Sequence, residues 1–147
     1  MPLTASESLS LDITLPGRIC RLGGDNATGK TYFLETLRDA VEAIQPDETH
    51  RVNKWLKKNI KIINSYSDEA TIRVLKNVKC QLIAIDNADY VFHDHPWLPD
   101  HITYERNNQW IIISKTQIEG LGVSGDCVGV MYFDEDTHTI HSSYGIS

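Results

Sequence analysis

The chain has 147 residues, 41% hydrophobic and 23% charged, with a formal net charge of −6, the proportions of a soluble globular protein of about one domain. That acidity excludes adhesion of the whole surface to nucleic acid or to an anionic membrane, and leaves only a local basic patch open. No apolar run approaches the ~20 residues of a membrane span, and residues 1–12 lack the basic-then-apolar pattern of a leader, so a cytoplasmic location is expected.

Residues 1–17 read as either a flexible start or a peripheral strand, since 8–15 alternate polar and apolar before the Pro16-Gly17 turn. Ile19 to Leu22 reads as a short buried strand. A glycine-rich stretch follows, Gly23-Gly24-Asp25-Asn26-Ala27-Thr28-Gly29-Lys30-Thr31. Tyr32 to Ile44 then reads as a helix, with Phe33, Leu34, Leu37, Val41 and Ile44 three and four apart and Pro46 beyond its end. Arg51 to Lys61 holds five basic residues, no acidic one, and an apolar side of Trp55, Leu56 and Ile60. It is expected to be an amphipathic helix with a solvated basic face, or else a docking surface for an acidic partner or a nucleic-acid backbone. Lys61 to Ser65 is a candidate strand. Ser67 is the expected N-cap of a helix whose face is Thr71, Leu75 and Val78.

Cys80 to Asp86 is an apolar run ending in a carboxylate, the pattern of a buried parallel strand; Asp86-Asn87 also suits a plain turn. Residues 90–108 are read as a loop broken by Pro96 and Pro99, with His93, Asp94, His95, Asp100 and His101 exposed on it. A metal site there is conceivable from residue type alone. Gln109 to Lys115 is a second buried strand with a polar end, Ser114. Residues 120–125 read as a glycine loop. Residues 127–133 and 137–144 read as a hairpin at the sheet edge. The three cysteines, Cys20, Cys80 and Cys127, fall in or beside strands without a C-x-x-C pair, which suggests reduced, mostly buried thiols.

Gly24 to Thr31 matches G-x-x-x-x-G-K-[ST] between a strand and a helix, and the chemistry explains the spacing. Glycines let consecutive N–H groups turn inward around an anion, and the helix begins with its positive dipole end there. The stretch resembles the Walker A loop of the P-loop NTPase superfamily, with a middle similar to loops of ABC-type and related ATPases. The Asp86 run resembles the Walker B element. The resemblance implies a three-layer α/β fold with a mostly parallel sheet, here ending in the C-terminal β-hairpin. It implies ATP and Mg²⁺ as ligands, held by Gly24, Asp25, Asn26, Ala27, Thr28, Gly29, Lys30 and Thr31. Thr31 and Asp86 would serve the metal, and Lys30 the β- and γ-phosphates. Ser114 would sense the γ-phosphate, from a strand lying between the two Walker strands.

Where the resemblance implies a catalytic Glu after the Walker B Asp, this chain has Asn87, which can hold a water but cannot take its proton. Asp89 is the candidate base and Glu105 a more distant one; Arg73, Arg106 and Lys115 are candidates for charge stabilisation. No Asn-Lys-x-Asp string follows the pattern of GTPases, so ATP is expected over GTP. The expected function is ATP binding with weak or partner-stimulated hydrolysis, and an unidentified protein partner. The alternatives are a nucleotide-dependent module that does not hydrolyse, and a small-molecule kinase with the histidine-rich loop as its lid.

Overall fold

The computed structural model describes residues 2–4, 10–12, 15–23, 30–134 and 139–144. Among these residues eight strands form one sheet: β1 (Pro2–Thr4), β2 (Ser10–Asp12), β3 (Ile19–Gly23), β4 (Ile60–Ile63), β5 (Leu82–Ile85), β6 (Gln109–Ile113), β7 (Val128–Asp134) and β8 (Thr139–Tyr144). Their order across the sheet is β1-β2-β8-β7-β3-β6-β5-β4. Neighbours are parallel from β7 to β4 and between β2 and β8; β1 against β2 and β7 against β8 are antiparallel. The protein is thus α/β with a mostly parallel sheet.

Among the described residues five α-helices cover the sheet: α1 (Lys30–Glu42), α2 (Arg51–Lys58), α3 (Glu69–Arg73), α4 (Ala88–Asp94) and α5 (Leu98–Tyr104). Successive strand residues point to opposite faces, so the branched runs of β3, β5 and β6 fill two cores at once. On one face Leu22, Leu82, Ala84, Ile111 and Ile113 pack with Leu34, Leu37, Val41 and Ile44 of α1 and with Leu56 of α2. On the other, Ile83, Ile85, Trp110 and Ile112 pack with α3, α4 and α5 through Ile72, Val91, Phe92, Leu98 and Ile102. Among the described residues no helix is long and apolar enough to cross a membrane.

Several expectations need correction. The hairpin of β7 and β8 forms, but it is not at the sheet edge, because β2 adds to β8 and β1 closes that side. The alternating residues near the start of the chain supply that cover. Asp68, not Ser67, caps α3: its side chain accepts the N–H of Thr71 at 2.8 Å. Ser67 instead accepts from the N–H of Asn64 at 3.0 Å, holding the preceding turn. Ile72 and Leu75 face the core, while Thr71 is exposed. Residues 90–104 are not a loop but α4 and α5. Pro99 stands in the first turn of α5, where a missing N–H costs nothing. Cys20 and Cys127 are buried, but Cys80 is exposed, ahead of its strand with φ +58°.

Candidate functional site

The carboxyl ends of β3, β5 and β6 define the site. β3 ends at Gly23 and α1 begins at Lys30, so the glycine-rich motif is the connection between a central strand and the helix packed on it. Gly24, Asp25, Asn26, Ala27, Thr28 and Gly29 lie outside the described residues; Lys30 and Thr31 open α1.

β6 lies between β3 and β5, bonded in parallel to both. Ile85 pairs with Ile112, and Leu22 with Ile113. Asp86, one residue beyond Ile85, therefore stands level with Leu22, two strands or about 10 Å across. Its N–H donates to the carbonyl of Ile63 at 2.8 Å, and its Oδ1 accepts the N–H of Asn87 at 2.9 Å. The carboxylate is half-buried and has lone pairs beyond that one bond, so its oxygens suit a hard cation such as Mg²⁺.

Asn87 explains itself through the backbone. It joins β5 to α4 at φ +48°, ψ +46°, a left-handed conformation that Asn tolerates and Glu resists.

Asp89, in the first turn of α4, points across to the end of β6. Its Oδ2 accepts the N–H of Lys115 at 2.9 Å and its Oδ1 the hydroxyl of Thr116 at 2.6 Å. Burial pushes its carboxyl up, but the Thr116 hydroxyl and the Lys115 N–H outweigh that and hold it below the usual carboxylate range. Both oxygens are committed, and a depressed pKa makes a poor proton acceptor.

Ser114 follows β6 and is 1% exposed. Its hydroxyl donates to the carbonyl of Thr116 at 2.8 Å and accepts from Arg21 Nε at 2.7 Å. Arg21 Nε also reaches the Thr116 carbonyl at 3.1 Å, and its Nη2 the Ser114 carbonyl at 3.4 Å. Burial lowers the Arg21 pKa, with Asp89 pulling the other way. Arg21 was invisible as a site residue because a lone arginine in a five-residue strand carries no motif; only the parity that puts it on one face with Ser114 gives it away.

The remaining candidates lie elsewhere. Glu105 follows α5, where its carboxylate accepts the Trp110 indole N–H at 3.0 Å and the Asn107 N–H. That is the amino end of β6, the opposite edge from Asp86, so Glu105 cannot serve a water there. Arg106 is beside it and Arg18 caps α5 through the carbonyls of Ile102 and Thr103, at 2.7 and 2.8 Å. Arg73 pairs with Glu69 on the exposed side of α3 at 3.0 Å. Lys115 is exposed at the carboxyl end of β6.

His93, His95 and His101 stand on or beside α4 and α5 and not on a loop. The segment holding them is anchored by the core residues of α4 and α5, and His101 bonds the Leu75 carbonyl at 3.2 Å while its ring meets Trp97 and Trp110 edge-on. Among the described residues no group of three or more His, Cys, Asp or Glu is placed to hold a metal ion.

No protein-family model matches the chain, and comparison with curated proteins and with solved structures returns no significant match.

Proposed function

We propose that the chain is a P-loop protein that binds Mg²⁺-ATP at residues 24–31 and hydrolyses it weakly, or only when a protein partner stimulates it. One observation carries the reading. The G-x-x-x-x-G-K-T string is the β3–α1 connection, and the strand ending in Asp86 runs parallel to β3, with the Ser114 strand between them. Ligands of open parallel sheets bind outside the carboxyl ends of the strands. Lys30 would bind the β- and γ-phosphates and Thr31 and Asp86 the metal; bound Mg²⁺ would neutralise the phosphate oxygens.

Weak turnover follows from the neighbourhood of Asp86. Asn87 cannot accept a proton, Asp89 is committed to the turn after β6, and Glu105 is at the far edge. The same facts favour the second reading, a module that uses ATP as a conformational ligand without turning it over. An arginine supplied in trans by a partner can be worth roughly 10³ to 10⁵ in rate.

Calorimetric titration with Mg²⁺-ATP tests the assignment. Wild-type protein is expected to bind and Lys30→Ala to lose binding. Absence of binding by wild type sinks the reading. Turnover by the isolated protein on the order of 10 per second would refute the weak-hydrolysis half of it.

A further inference from the structure

β4 ends the sheet on the side away from β1. It pairs with β5, and among the described residues no strand pairs with its outer side. In a parallel ladder a residue's N–H and C=O point to the same side, and that side alternates along the strand. The carbonyls of Asn59 and Ile63 accept from the N–H groups of Leu82 and Asp86, both at 2.8 Å, so these residues and Lys61 between them are turned toward β5. The N–H and C=O groups of Ile60 and Ile62 therefore point outward from the sheet. The outward row ends at Asn64, whose N–H and C=O both bond Ser67, at 3.0 and 3.1 Å.

The same two isoleucines floor a groove. Their side chains pack against the core under α1 and α2 and stay half-buried. With Val41 they line a cavity of about 480 Å³, walled by Arg38, Glu42 and Lys57. Lys61 stands on the opposite face of the strand by alternation. Arg38, Lys57 and Lys61 form no ion pair among the described residues, and the amine of Lys57 is bonded to carbonyls at the end of α1. Only Glu42 offsets these three cations in the groove, so the edge is locally basic in a chain of net charge −6.

Those features select the occupant. Backbone donors and acceptors in one row match another extended polypeptide. The groove presents no aromatic side chain on which a base could stack, which disfavours single-stranded nucleic acid. A second copy of this chain is disfavoured by charge. The two-fold pairing that sets Ile60 against Ile62 places Lys61 opposite its own counterpart, and like charges directly opposite are destabilising. A lysine on an edge strand guards against such self-pairing. The charge that repels a copy attracts a strand bearing carboxylates.

We propose that the β4 edge docks an extended acidic segment of a partner protein, which adds to the sheet as a further strand. It bonds the backbone of Ile60 and Ile62, seats an apolar side chain in the groove, and aims carboxylates at Arg38, Lys57 and Lys61. The surface lies three strands, or about 14 Å, from β3, and the argument for it does not use the glycine-rich connection.

The test is titration of isotope-labelled protein, without nucleotide, followed by amide NMR spectra and hydrogen exchange. The probe is a peptide of about eight residues alternating valine and glutamate. The controls are the same peptide with lysine for glutamate, and a single-stranded oligothymidylate. The glutamate peptide is expected to bind with a dissociation constant below about 1 mM, more weakly at high salt, shifting and protecting the amides of Ile60 and Ile62. Arg38→Glu combined with Lys61→Glu is expected to weaken it at least about tenfold. Ile62→Pro removes an outward N–H and is expected to abolish binding; the charge variant carries the test if Ile62→Pro does not fold. No binding of the glutamate peptide, equal binding of the lysine peptide, or preference for the oligonucleotide overturns the proposal. So do shifts at these amides that follow protein concentration alone, and unchanged affinity in the folded variants. Each of these outcomes leaves the P-loop reading to its own titration with Mg²⁺-ATP.

Discussion

Asn87 shows how a single backbone angle constrains what chemistry the site can hold. Its left-handed conformation is what lets the chain turn from β5 straight into α4, with Ala88 already buried. A non-glycine residue other than Asn or Asp pays roughly 1–2 kcal/mol there. Asn87→Glu is therefore expected to lower stability by about 1 kcal/mol in a denaturant titration, whereas Asn87→Gly should be close to neutral. Cys20 illustrates the other direction of environmental control. Burial, followed by the neighbouring Cys127, pushes its thiol up to about 11, and its S–H donates to the Gly17 carbonyl at 3.3 Å, so it is a packed, protonated core residue.

At the scale of elements, the basic helix α2 divides into two kinds of lysine. Lys57 reaches the carbonyls of Glu42 and Ile44 at 3.2 and 2.5 Å, closing the end of α1 where unpaired carbonyls and the negative dipole end gather. All three lysines are exposed, and Lys54 and Lys58 make no such bond among the described residues. Lys57→Ala is expected to cost about 0.5–1 kcal/mol by thermal or urea melting, and Lys54→Ala or Lys58→Ala close to nothing. Equal effects at all three would mean that the cap contributes nothing. The apolar spacing of residues 32–44 was enough to find α1, because Leu34, Leu37, Val41 and Ile44 all face one core. The pair α4 and α5 was hidden by two prolines and three histidines. Pro99 begins a helix instead of breaking one, and His101 finds a carbonyl and two indoles instead of water.

For the molecule as a whole, the sheet has two edges, and the chain closes one of them with its own first residues. β2 adds in parallel to β8, with Leu11 level with Ile140, and β1 folds back on β2. Removing residues 1–12 would uncover a six-residue strand, β8, whose unpaired N–H and carbonyl groups are a template for another chain. The truncated protein is expected to elute as concentration-dependent oligomers in size-exclusion chromatography; a monomer at all concentrations would show that β1 and β2 do not protect this edge.

By itself the sequence determined the local pieces that depend on neighbours in the chain. These are the apolar runs of β3, β5 and β6, the periodicity of α1, and the glycine-rich string that joins β3 to α1. It also marked the residues beside them, Lys30, Thr31, Asp86 and Ser114, because spacing within a motif is a property of the chain alone. What the tertiary structure decided was which strand lies beside which, and hence which side chains meet. Only the order β3-β6-β5 brings Asp86 and Ser114 to one edge of the sheet and sends Glu105 and Arg106 to the other. Only packing puts Arg21 on Ser114, 93 residues away, and Asp89 on Thr116, 27 residues away. Those contacts are set by strand parity and by the helices that bury each face, and no local pattern in the chain encodes them.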